Sequence, residues 1–205
     1  MIEAVLFDVG GVLFEEGYKK GLHAIAERNG IDPLRFKIIS DRLILETGYL
    51  TGKAEENVFW EAIRDESGIM ESNDEMRDAL IERFVPREWM LEIVRKLKER
   101  TRLGILSDQT NWLDLLEEKH RFFNLFDTVL NSYYTGRSKV DQLTFEFAAS
   151  VLGVRQEKIL FIDDMIGNIK RAEASGYKTI LYCDRLKFLT DMGNYFSDIG
   201  TLSQH

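Results

Sequence analysis

Asp8, Ser107, Asp108, Lys139, Asp163 and Asp164 are the residues of this chain whose types and placing could do chemistry on a charged substrate. Asp8 follows an apolar run over 2–7 and precedes Gly10 and Gly11 in FDVGGVL. Ser107 ends RLGILS with Asp108 beyond it, Lys139 ends SYYTGRSK, and Asp163-Asp164 lie in FIDDMIGN. Two adjacent carboxylates repel each other unless a cation or hydrogen-bond donors compensate them. Hard oxygen ligands of that kind suit Mg²⁺. Each piece alone has a plainer reading. An Asp before Gly-Gly forms turns, Ser107-Asp108 could cap a helix starting near Asn111 and Trp112, and Asp164 could cap the helix after it.

Something must bring these positions together. Five short apolar runs, at 3–7, 102–107, 127–132, 158–163 and 178–183, read as buried strands of a parallel sheet. Helical patterns at 89–100, 143–153 and 168–176 lie between them. Alternating strand and helix implies a doubly wound α/β architecture. The interval from 15 to about 85 holds no convincing strand and reads as four helices, at 19–30, 33–48, 51–68 and 72–84. Gly30, Gly48 and Gly68 stop the first three, and Asp32-Pro33 starts the second. The expected organisation is therefore an α/β core, 1–14 and 86–205, with a helical insert over 15–85. In open α/β sheets ligands bind at the carboxyl ends of the strands, where all six residues fall.

Taken together and in this order, the motifs resemble the haloacid dehalogenase-like (HAD) hydrolase superfamily. The first, normally D-x-D-G-[TV]-L, is DVGGVL (8–13); the second is Ser107; the third is Lys139 in GRSKVD (136–141); the fourth is Asp163, Asp164 and Asn168. The likeness covers 1–14 and about 86–200. It implies a Rossmann-like three-layer α/β/α core with a small four-helix cap after the first strand. It also implies Mg²⁺-dependent hydrolysis of a small phosphorylated metabolite through an aspartyl-phosphate. Asp8 would be the nucleophile, and Ser107, Asp108 and Lys139 would face the phosphoryl group. Asp163 and Asn168 would order the outer shell, and Asp8, the Gly10 carbonyl and Asp164 would hold the metal.

Two positions depart from the pattern. Gly10 stands where family phosphatases carry a second Asp as general acid and base, and Val140 replaces a customary Pro. A sub-branch with D-x-G-[GN]-V, including sugar 1-phosphate phosphatases, looks similar. A leaving group that needs no proton, or a residue such as Glu15, Glu16 or Tyr18 reaching back, would answer the loss of the acid. A catalytically degenerate phosphate-binding or interaction module is the alternative that Gly10 supports. A metal-independent 2-haloacid dehalogenase is another, weakened by the Asp163-Asp164 pair.

Composition narrows the rest. The 205 residues carry 27 Lys plus Arg against 35 Asp plus Glu, a net charge of −8, which argues against broad nucleic-acid or acidic-membrane binding. Cys183 is the only cysteine, no stretch reaches transmembrane length, and no leader is evident, so a cytoplasmic protein is expected. Arg42, Tyr49 and Lys53 are the insert's polar candidates for contacting substrate. Phe36, Phe59, Trp60 and Phe84 read as core. His23, His120 and His205 have no metal-ligand spacing, and EEKHR (117–121) reads as a solvated helix end. Oligomeric state and substrate identity are not legible.

Overall fold

A computed structural model of the chain describes residues 1–200; His205 lies outside them. Five strands, β1 (Ala4–Phe7), β2 (Arg102–Ser107), β3 (Thr128–Asn131), β4 (Ile159–Asp163) and β5 (Lys178–Leu181), form one sheet in the order β3-β2-β1-β4-β5. Every neighbouring pair is parallel, with Phe7 beside Ile105 and Ile162, and Ser107 beside Asn131. The helices are α1 (Gly17–Arg28), α2 (Pro33–Glu46), α3 (Glu56–Ser67), α4 (Asn73–Ile81), α5 (Glu88–Lys98), α6 (Trp112–His120), α7 (Ser132–Thr135), α8 (Leu143–Leu152), α9 (Ile166–Ala174), α10 (Arg185–Gly193) and α11 (Ser197–Gly200).

The strands are apolar throughout because both faces of the sheet are covered. Val5, Phe7, Leu103, Ile105, Leu160 and Ile162 point to one face and pack with side chains of α5, α6 and α10. Ala4, Leu6, Leu106, Ile159 and Phe161 point to the other and meet α8 and α9. The α/β/α reading holds, with β2 matching its apolar run and the other four strands slightly shorter than theirs. β3 stops at Asn131 because that side chain accepts from Tyr133 N and starts α7. Cys183 lies past β5 and is exposed.

Helices α1–α4 follow β1 and enclose their own apolar cluster, with Phe36, Phe59 and Trp60 at its centre. Trp112 of α6 belongs to that cluster as well. Phe84, expected among the insert's core residues, is instead part of the cluster on the sheet. The expected helix over 51–68 begins only at Glu56, because Tyr49–Thr51 form a 3₁₀ turn between Gly48 and Gly52, both at positive φ. The two connections to the insert pair with each other. Glu15 N donates to Val85 O at 2.8 Å, and Arg87 N donates to Leu13 O at 2.9 Å.

Candidate active site

Parallel strands place their carboxyl ends side by side, and so Asp8, Ser107 and Asp163, 99 and 56 residues apart in sequence, become neighbours. Asp8 Oδ1 accepts from Val9 N at 2.7 Å and from Ser107 Oγ at 2.9 Å. Its Oδ2 lies 2.9 Å from Lys139 Nζ, which also donates to Asp163 Oδ2 at 2.7 Å. Asp8, Ser107, Lys139 and Asp163 are all buried. Ser107 thus holds Asp8 and caps no helix; α6 begins after Asn111 without a side-chain cap.

The adjacent aspartates differ sharply. Asp163 accepts from Lys139, from Met165 N at 2.7 Å and from Asn168 Nδ2 at 3.0 and 3.1 Å. Among the described residues no other residue donates to the Asp164 carboxylate, which has only its own backbone N–H, and α9 begins after Met165 without a side-chain cap. A Cβ at Gly11, whose φ is +78°, would lie 2.2 Å from Asp164 Oδ2, so only glycine lets this carboxylate close on the Asp8 loop. One oxygen each of Asp8, Asp163 and Asp164 lie within 4.8 Å of one another.

Electrostatics follow from this crowding. Burial pushes the Asp8 carboxyl up to about 7; Lys139 pulls it down and Asp163 pushes it further up. Burial also raises Asp164, and Asp163 adds to it. Burial alone would lower Lys139, but Asp163, Asp8 and Asp108 outweigh it and hold the ammonium charged. Three carboxylates face one ammonium, and the donors left open are all oxygen. That set fits Mg²⁺.

The lysine is aimed by its surroundings rather than by a following proline. Its N–H donates to Asp108 Oδ1 at 2.8 Å, and its carbonyl accepts from Arg171 Nε at 2.6 Å. Val140 is largely exposed. Asp108, expected to face the phosphoryl group, accepts from Ser138 Oγ at 2.7 Å with its other oxygen and so braces the Lys139 loop. Arg171 also donates to Asn168 Oδ1 at 2.8 Å. Sequence reasoning missed Arg171 and Ser138. The spacing of Arg171 three residues after Asn168, one helix face, was the available signal. Arg87, also missed, donates to Val12 O at 2.9 Å and Phe14 O at 2.7 Å and fixes the loop after Asp8 from the other side.

None of the residues expected to reach back does so with a hydrogen bond. Glu15 pairs with Lys20 and Arg87, and Glu16 caps α1 by accepting from Lys19 N. The Tyr18 hydroxyl is buried without a hydrogen-bond partner, and its ring lies tilted 6.4 Å from that of Trp112. In the insert, Arg42 pairs with Glu46 and Glu66, and Tyr49 donates to Asn111 Oδ1 at 2.6 Å. Lys53 is exposed and packs its stem over Gly48. The run 117–121 is not wholly solvated: Glu117 accepts from Phe122 N and Phe123 N, and His120 packs edge-on against Phe14.

The sequence matches the haloacid dehalogenase-like hydrolase family over residues 2–176. The chain belongs to that family. It is therefore a HAD-like hydrolase, with the parallel sheet and post-β1 cap of that fold. A HAD family enzyme of Bacteroides thetaiotaomicron, crystallised with magnesium and inorganic phosphate, is 24% identical, with a TM-score of 0.71 over 88% of this chain and 93% of the other. A predicted HAD-like family hydrolase of Porphyromonas gingivalis is 23% identical, with a TM-score of 0.71 over 100% and 99% of the two chains. The L-2-haloacid dehalogenase of Xanthobacter autotrophicus, solved with chloropropionic acid covalently bound, is 20% identical, with a TM-score of 0.65 over 98% and 88%. At these identities the likeness speaks for the fold. No curated protein matches the sequence.

Proposed function

We propose that this HAD-like hydrolase is a Mg²⁺-dependent phosphomonoesterase acting through an aspartyl-phosphate on a small phosphorylated metabolite, a sugar 1-phosphate fitting best. The observation that carries the reading is the setting of Asp8. Its carboxylate is held by Val9 N–H, Ser107 Oγ and Lys139 Nζ, with the Asp164 carboxylate, which takes no donor from another described residue, beside it. The metal would be held by Asp8, the Gly10 carbonyl and Asp164, and when bound it neutralises charge on the site and the phosphoryl oxygens. A Bacteroides thetaiotaomicron protein of the same fold has been solved in complex with magnesium and inorganic phosphate, which supports a magnesium-dependent reading here.

Asp8 attacks phosphorus in line, the leaving oxygen departs with its electron pair, and water then cleaves the acyl phosphate. Ser107 fixes one oxygen of the nucleophile. Lys139 draws Asp8 towards its ionised form against the pull of burial and offsets phosphoryl charge. Asp163, Asn168 and Arg171 keep the ammonium and its loop in place, as supporting shells do. We take 1–14 with 86–205 as the core and 15–85 as the cap, a division supported by the pairing of the two connections at 13–15 and 85–87. Among the described residues no helix is long and apolar enough to cross a membrane. The acidic balance speaks against nucleic acid, and action in the cytoplasm fits the lone exposed cysteine.

The test is phosphate release from p-nitrophenyl phosphate and from sugar 1- and 6-phosphates, with Mg²⁺ or EDTA. Turnover should need Mg²⁺, favour the 1-phosphates, and fall by roughly 10⁴-fold or more in Asp8→Asn, as loss of a nucleophile does. Phosphate binding without turnover would make the protein a binding module. Chloride release from chloroacetate without Mg²⁺ would make it a dehalogenase.

A further inference from the structure

The missing second Asp has not left a hole. A Cβ built on Gly10 would meet Phe84 Cε1 at 3.3 Å and Gln109 Nε2 at 4.0 Å. Phe84 cannot easily withdraw, because its ring lies against Gly17, where a Cβ would sit 2.3 Å from Cδ2. The ring is fully enclosed and wedged between two glycines, so the slot is shaped for a glycine and an aromatic together.

Gln109 is the polar group left facing this slot. It lies two residues beyond Ser107, on the loop after β2, and its carbonyl accepts from Ser132 Oγ at 2.9 Å. The side chain is buried, yet its carboxamide makes no hydrogen bond to the described residues and is not among the polar atoms sealed from solvent. A buried amide held open beside the nucleophile's loop is poised to bond something that enters.

We propose that the Gln109 carboxamide is the leaving-group contact of this enzyme, a neutral donor in place of a proton-transferring acid. This rests on the phosphatase reading above. As the Asp8 oxygen forms its bond to phosphorus, the P–O bond to the leaving group breaks and the electron pair stays on the departing oxygen. Gln109 N–H donates a hydrogen bond to that oxygen and keeps its own proton. The oxygen leaves as an anion, and if it is protonated at all, the proton comes from water. The substrate class follows: phosphates whose leaving oxygen is less basic than a simple alkoxide, namely anomeric sugar phosphates and acyl phosphates. Simple alkyl phosphates are excluded for want of an acid.

The experiment measures kcat and KM for a series of aryl phosphates of graded leaving-group basicity, plus an acyl phosphate, with Mg²⁺. Gln109→Leu should lose roughly 10²-fold on the most basic leaving groups, the usual effect of removing one charge-stabilising donor, and little on the least basic. The dependence of kcat on leaving-group basicity should therefore steepen, with KM less affected. Gln109→Asn, which keeps a shorter carboxamide, should recover part of the loss. Gly10→Asp alone should not extend the range to alkyl phosphates, whereas Gly10→Asp with Phe84→Ala should. Loss by the same factor on every substrate in Gln109→Leu, with an active parent, overturns the role of Gln109 and leaves the phosphatase reading standing. A parent with no Mg²⁺-dependent turnover overturns both.

Discussion

Charged groups gather in two contrasting places, buried at the carboxyl ends of β1, β2 and β4, and half-buried where the cap meets the core. The first is unbalanced: the carboxylates of Asp8, Asp163 and Asp164 lie within 4.8 Å of one another, and the one ammonium among them, Lys139, pairs with Asp8 and Asp163. The second is balanced. Glu56 Oε1 accepts from Trp60 Nε1 at 2.9 Å and from Trp112 Nε1 at 2.8 Å, and its Oε2 pairs with Arg77 at 3.0 Å. Excess buried charge is costly unless something arrives to offset it, so the first place is built to bind. A closed set of partners needs nothing further, and the second place is built to hold the cap.

The contrast can be broken most severely at Lys139. Lys139→Met leaves Asp163 buried without its counter-ion, and should cost about 3–5 kcal/mol of stability in chemical denaturation. A variant as stable as the parent would show that these carboxyls are neutral and need no compensation.

The second test uses pH. Asp8 ordinarily titrates at 3.8 but sits at about 7 in the folded protein, and Asp164 is raised too. The folded state therefore holds protons that the unfolded chain has released. Without divalent cations, stability from these groups is complete below about pH 4 and is lost as pH rises through 7. Thermal melting should drop across that window, Mg²⁺ at pH 7.5 should restore it, and Asp8→Asn should flatten both responses. Melting at pH 7.5 that ignores Mg²⁺ would remove the case for a cation.

On the balanced side the effects shrink. Glu56→Ala strips two indole N–H groups of their acceptor, leaves Arg77 with Asp74 alone, and should cost roughly 2 kcal/mol, with Mg²⁺ affinity by calorimetry unchanged. A large fall in Mg²⁺ affinity would mean that the two regions are coupled. Smallest of all is Arg42→Ala, which removes the exposed pairs with Glu46 and Glu66 and should shift neither melting nor turnover measurably.

Much of the site was legible because strand ends are legible. The apolar runs that stop at Phe7, Ser107 and Asp163 locate three of its members, and a parallel sheet forces such ends together. Asp108 shows the limit. Its type and place suggest a substrate contact, but whether a carboxylate faces the opening or the neighbouring loop depends on Ser138 and Lys139, 30 and 31 residues away. Gln109 has no motif at all; it gains meaning only from the space beside Gly10.

Phe84 marks the same boundary in the packing. Helical spacing makes it an apolar face residue, and period alone does not say which of two cores receives it. Local pattern alone was enough for the elements, for a parallel sheet and for the residues at the strand ends, because periodicity, glycine stops and apolar runs act over a few residues. Packing between distant segments was needed for the strand order, for Asp164 rather than Asp163 to lack a donor from another residue, for Trp112 to join the cap and for Phe84 to fill the slot at Gly10. Those outcomes depend on volumes and hydrogen-bond partners supplied from distant parts of the chain, which no local pattern encodes.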